Sequence, residues 1–173
     1  MDGSPELLIA VSVTSPLKLR VGLLSMASLN VAVISTVSLP IRVLYEDYEQ
    51  IILTHTCREK NELAYGENLI QEIQNGGLMS ELVGEDSLKK LIYYPTTTRD
   101  PSNQMGRITD LLESGKLLKD LGIEGISEQT DRAMVCGSLG LNTDLKKILE
   151  GFGLKEGANS EPAHYVVEKA FVG

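Results

Sequence analysis

The sequence predicts an α/β fold: a doubly wound, mostly parallel sheet with helices on both faces. Two observations predict it. From residue 43 onward, short apolar runs rich in β-formers alternate with amphipathic helical stretches, and turn residues (Asn75-Gly76-Gly77, Asp100-Pro101, Ser114-Gly115) punctuate the alternation. No self-similar unit of solenoid length recurs. Strand–helix repetition of this kind gives parallel strands joined by right-handed crossovers, and such sheets bind ligands at the carboxyl ends of their strands.

Each element has its own justification. The run QIILTHTC over 50–57 is short, apolar and β-branched, as a buried parallel strand requires. A helix is expected over 61–74, where Leu63, Leu69, Ile70 and Ile73 form a stripe closed by the Asn75-Gly76-Gly77 stop. KLIYYPTTT over 90–98 is the next strand, ended by Asp100-Pro101. Gly106-Arg107 opens a helix through Ile108, Leu111 and Leu112 that Ser114-Gly115 ends, and Leu117 to Leu121 reads as a further turn. RAMVCGS over 132–138 is a third strand, 142–151 a short helix with Leu145, Ile148 and Leu149 inward, and HYVVEKAF over 164–171 a last strand. Gly151, Gly153 and Gly157 follow a helix rather than a strand, so they form a helix stop and loop, not a dinucleotide fingerprint.

Composition bounds the function. The 173 residues suit one domain, with 42% hydrophobic and 23% charged residues as in ordinary globular proteins. A net charge of −8 excludes nucleic-acid binding through a broad basic surface, so an anion site has to be a local basic pocket. Cys57 and Cys136 give neither a disulfide framework nor a zinc site, which suits a reducing cytoplasm, and no metal site is expected. The acidic start MDGSPE lacks the positive region of a secretory signal. Residues 21–40 are uncharged, but Ser25, Ser28, Asn30, Ser35, Thr36 and Ser38 make them a poor membrane span.

A composition break falls near residue 42. Asp2 and Glu6 against Lys18, Arg20 and Arg42 give the first segment +1, leaving −9 on the remainder. The segment 1–42 is rich in Ser, Val and Leu, with patchy alternation and no helical period. It is expected to be a divergent N-terminal piece, non-homologous or poorly ordered, in front of one domain over 43–173.

Arg58 lies just beyond the first strand of that domain, Arg99 just beyond the second, and Arg107 at the start of the following helix. In a parallel sheet all three leave one edge. Guanidinium forks pair bidentately with phosphate, a helix N-terminus adds donors, and Thr97 and Thr98 add hydroxyls. Solvated arginines pairing with the many carboxylates are the alternative. Cys136-Gly137-Ser138 ends the third strand; the glycine permits close backbone approach to a ligand, while a buried packing cysteine is the alternative. Neither His55 nor His164 completes a nucleophile triad by sequence pattern.

Four motifs carry a family resemblance: THTCREKNELAY (54–65), YYPTTTRDPSNQMGRITDLLESGK (93–116), MVCGS (134–138) and EPAHYVVEKAFVG (161–173). Together they resemble the NADP-binding half of bacterial ferredoxin/flavodoxin–NADP reductases. The resemblance implies a flavin-dependent oxidoreductase in which hydride passes between NADP(H) and FAD, and electrons then pass to or from ferredoxin or flavodoxin. It implies that Arg58, Arg99 and Arg107 surround the 2′-phosphate. It further implies that Cys136 borders the nicotinamide without a covalent bond, beside Gly137 and Ser138, and that Ala170 and Phe171 pack on flavin. The family's flavin barrel, with its Arg-x-Tyr-Ser/Thr motif, has no match here, and neither has the Gly-Thr-Gly-Ile-Ala-Pro-Phe turn expected upstream of residue 43. The chain alone is therefore expected not to retain FAD. A non-catalytic NADP(H)-binding module, or an inactive remnant of a truncated gene, is the alternative.

Overall fold

Runs of aliphatic and β-branched residues set the strands, and where they carry no charge they bury both faces. The computed structural model describes residues 49–63, 89–157 and 163–168, isolated positions between 67 and 84, and the backbone of 6–12 and 22–25. The two early segments are strands β1 (Glu6–Ser12) and β2 (Gly22–Ser25). Then come β3 (Gln50–Cys57), a 3-10 turn at Lys60–Leu63, and β4 (Leu91–Thr97). Helices α1 (Ile108–Glu113) and α2 (Lys116–Leu121) precede β5 (Asp131–Cys136), α3 (Leu139–Gly151) and β6 (Tyr165–Glu168). Every strand expected after residue 43 is present. Of the helix expected over 61–74, Glu67, Asn68, Ile70 and Gln71 are helical, and most of the rest lies outside the described residues.

The sheet runs β4-β3-β1-β2-β5-β6. β3 and β4 pair in parallel from Ile51↔Leu91 to Cys57↔Thr97, and β5 and β6 pair in parallel from Ala133↔Tyr165 to Cys136↔Glu168. β2 meets β3 and β5 in parallel at one position each, Leu23↔Ile52 and Leu24↔Met134. The α/β fold and the mostly parallel sheet are thus present. β1 is the exception, antiparallel to β2, β3 and β5. Leu7 pairs with His55 on one side and Cys136 on the other, so β3 and β5 end level at the same edge. With neighbouring strands about 4.8 Å apart, two steps separate those ends by roughly 10 Å.

All residues of β3 from Ile51 to Cys57 are buried. On its even face, Ile52 joins Tyr94, Ala133, Val135 and Tyr165 in one core with Ile108, Leu111 and Leu112 of α1, Leu117 of α2, and Leu141, Leu145, Ile148 and Leu149 of α3. The α3 residues recur at the helical spacing that lays one stripe on a sheet. Pro95 is tolerated because β4 is an edge strand. Thr98 donates its N–H to Cys57 O of β3, whereas Thr97 donates to Gln104 O on the other side. Pro95 shares the parity of Thr97, so its missing N–H faces away from β3 and the ladder loses no bond.

Candidate functional site

The carboxyl ends of β3 and β4 form one bonded unit. Beyond Cys57 the chain bends, and Arg58 carbonyl O accepts the N–H of Arg99 at 2.9 Å and that of Asp100 at 3.4 Å. Glu62 Oε2 accepts the N–H groups of Arg58 and Glu59, each at 2.9 Å, and Asp100 Oδ2 accepts that of Lys60 at 3.0 Å. The loops carrying Arg58 and Arg99 are therefore joined through backbone, with carboxylates of the same loops capping exposed amides. Arg58 is half-buried; Thr98 and Arg99 are exposed.

Arg107 arrives at the same edge by a second route. Thr97 carbonyl O accepts the N–H of Gly106 at 2.9 Å, and Thr97 pairs with Met105 as a parallel bridge. Gly106 has φ of 128°, a conformation that strains any side chain, and it turns the chain directly into Arg107. Arg107 is the exposed N-cap residue of α1, in extended conformation, and its carbonyl accepts from Leu111 N at 3.0 Å. α1 has only six residues, so its dipole adds little and the guanidinium has to supply most of the positive potential. Thr97 is fully buried, its hydroxyl bonded to Asp100 O and to Ser102 Oγ at 2.7 Å. It shapes the loop from inside, and Thr98 presents the exposed hydroxyl.

Across the sheet, Cys136 ends β5 and Gly137-Ser138 turns the chain into α3. A Cβ at Gly137 would sit 2.4 Å from Leu141 Cδ2, so any side chain there would require the Leu141 side chain to shift. Ser138 caps α3, its Oγ accepting from Leu141 N at 3.3 Å. That cap explains why α3 starts at Leu139, three residues earlier than the apolar stripe suggests. The structure thus brings Arg58, Thr98, Arg99, Arg107, Cys136, Gly137 and Ser138 to one edge of the sheet. Ala170 and Phe171 lie outside the described residues.

A further group was missed by sequence reading. His55 Nδ1 lies 2.8 Å from Tyr93 Oη, and His55 Nε2 lies 2.9 Å from Cys57 Sγ. Burial holds His55 neutral, lowering its pKa to about 4 against a smaller opposing pull from Glu62. Burial, with Cys57 and Glu67 nearby, raises the Tyr93 phenol. The period-two spacing of His55 and Cys57 puts them on one face, but Tyr93 joins them only through strand pairing.

The depressed His55 pKa has a measurable consequence. Between about pH 6.5 and 4 the unfolded chain takes up a proton that the folded chain refuses, so this contribution is full above pH 6.5 and fades as pH falls. Urea unfolding near neutrality and near pH 4.5 should show the wild type losing roughly 2 kcal/mol more than His55→Gln across that interval. Equal losses would show that His55 is not held neutral.

No family model matches the chain. It is 56% identical over 129 residues to a flavodoxin/ferredoxin–NADP reductase of Rhodobacter capsulatus, covering 75% of this chain and 46% of that protein. It is 44% identical over 130 residues to a ferredoxin–NADP reductase of Azotobacter vinelandii, covering 75% and 49%. The chain is a relative of the ferredoxin–NADP reductases over about half their length. A ferredoxin NADP+ reductase from Neisseria gonorrhoeae, solved with bound FAD and NADP, superposes with a TM-score of 0.57 at 21% identity, covering 76% of this chain and 48% of that one. That likeness establishes the fold. The chain spans about half the length of the curated relatives it matches. Among the described residues no helix is long and apolar enough to cross a membrane, and no three metal-ligating side chains cluster.

Proposed function

We propose that this edge binds NADP(H), and that the chain is the nucleotide-binding part of a flavin-dependent ferredoxin/flavodoxin–NADP reductase. The observation that carries the reading is the bonded unit at the ends of β3 and β4: Arg58 and Arg99 are joined by a backbone bond, and the segment leading to Arg107 is bonded to Thr97 of the same strand end. Three guanidinium groups rooted so closely in a chain of net charge −8 suit a dianion such as a 2′-phosphate. Thr98 adds a hydroxyl. The nicotinamide is assigned to the Cys136-Gly137-Ser138 end of β5 on the strength of the sequence motif, with Cys136 as a non-covalent positioning residue. Ala170 and Phe171 are proposed flavin contacts on the strength of the sequence motif.

FAD, when bound in a complete reductase, supplies hydride exchange with nicotinamide and one-electron exchange with ferredoxin or flavodoxin. The part played by this chain is to hold and orient the nucleotide. The half-length match favours a second reading in which the isolated chain captures NADP(H) without turnover. Two cysteines in separate motifs, with the spacing of neither a disulfide framework nor a zinc site, support a cytoplasmic setting.

The test is competition between adenosine fragments. The purified chain should bind 2′,5′-ADP at least about tenfold more tightly than 5′-AMP, since the two differ only in the 2′-phosphate. Equal affinity would remove the 2′-phosphate assignment. Flavin absorbance in the same preparation separates a complete reductase from a nucleotide-binding part.

A further inference from the structure

The strand ends that carry Arg58 and Arg99 are tied together on both faces of the sheet. On the odd face, Tyr93 Oη, His55 and Cys57 Sγ form a continuous chain, with contacts of 2.8 and 2.9 Å, running from β4 to the last residue of β3. Leu53 is the register partner of Tyr93, so Tyr93 reaches His55 diagonally, with ring centroids 6.3 Å apart. On the even face, Thr56 Oγ1 and Thr96 Oγ1 lie 2.7 Å apart across the same two strands. The next residue after Cys57 is Arg58, and Arg99 lies three beyond Thr96.

Other chemistry fits this chain of groups less well. Cys57 is only 2% exposed, so its sulfur is shielded from substrate and oxidant. His55, kept neutral by burial, is a weak base for drawing off the thiol proton. A neutral imidazole does have one donor and one acceptor nitrogen, the pair needed to bridge a phenol and a thiol in fixed orientation.

We propose that Tyr93, His55 and Cys57, with the Thr56–Thr96 pair opposite, are positioning residues that clamp the ends of β3 and β4 and fix the spacing between Arg58 and Arg99. Under the NADP(H) reading, on which this second step rests, the clamp sets discrimination for the 2′-phosphate. The guanidinium groups gain bidentate geometry only if their backbone roots are held, and the clamp acts one residue before one arginine and three before the other.

Tyr93→Phe removes one oxygen and leaves the ring packing intact. Tyr94→Phe is the matched control, because the Tyr94 hydroxyl donates to Asp120 at 2.7 Å, away from the clamp. In the full chain without ligand, Tyr93→Phe should speed amide hydrogen exchange at Thr98 and Arg99 about three- to tenfold, as expected for loss of one net hydrogen bond, with the Leu149 amide unchanged. Unchanged exchange at Thr98 and Arg99, or equal acceleration in Tyr94→Phe, overturns the clamp. With nucleotide, the same variant should lower the NADPH-to-NADH affinity ratio about three- to tenfold. Faster exchange in a protein whose wild type does not discriminate the nucleotides upholds the clamp and rejects the NADP(H) reading. Unchanged exchange in a wild type that prefers NADPH rejects the clamp and upholds the reading.

Discussion

Replacing Arg99 and Arg107 together by alanine should weaken NADPH binding about 100-fold while moving NADH by less than about threefold. Each guanidinium–phosphate contact is a charge-assisted hydrogen bond, worth roughly 1.5–3 kcal/mol when its partner is held in place. On the proposed reading the pair shares one phosphate, so the two losses are not expected to add in full. Both side chains are exposed, and neither guanidinium supports the core, so the fold should survive the double change. Arg58 is a less clean target: it is half-buried, and its backbone amide is held by Glu62. Titration of the variant with the two nucleotides reads the effect. Equal losses for NADPH and NADH would show that these arginines do not read the 2′-phosphate.

Leu149→Ala should lower stability by about 2–5 kcal/mol, the range for a leucine removed from a core that cannot collapse around the gap. Leu149 is 0% exposed and lies in the final turns of α3, within the cluster of α1, α2, β5 and β6 residues. For a chain of this size each kcal/mol moves the Tm by roughly 2–4 °C, so a fall of about 4–20 °C is expected in a thermal scan. Leu139→Ala is the contrast. Leu139 is 82% exposed at the start of the same helix, and its loss should stay within about 0.5 kcal/mol. A Leu149→Ala change as mild as Leu139→Ala would mean that α3 does not pack on the sheet as described. α3 also carries the Gly137-Ser138 turn, so its seating is a condition for that half of the site.

Local chemistry was enough to read most elements after residue 43. The β-branched run 50–57 could be placed because it is short and uncharged, and Asp100-Pro101 marked the end of the next strand. The sequence places the start of α3 at residue 142, three residues late, because the stripe of Leu145, Ile148 and Leu149 does not reveal the cap hydrogen bond with which Ser138 starts the helix. The antiparallel run of β1 was not legible, since 1–42 shows no clear alternation to set a register. Within the site, the three arginines could be read as leaving one edge because parallel strands end together. The inward turn of the Thr97 hydroxyl could not, since it depends on the loop from Asp100 to Gln104 folding back. The close approach of Leu141 to Gly137 was also hidden, because it comes from a side chain one helical turn away. The Tyr93–His55–Cys57 chain spans residues far apart in sequence and depends on the β3–β4 register, which no local pattern reveals.

On the proposed reading, one edge of this sheet recognises the phosphate that distinguishes NADPH from NADH. Calorimetric titration of the wild-type chain with both nucleotides, in one low-salt buffer, tests it most directly. NADPH is expected to bind at least about tenfold more tightly than NADH. Equal affinities, or no binding of NADPH at millimolar concentration, would contradict it.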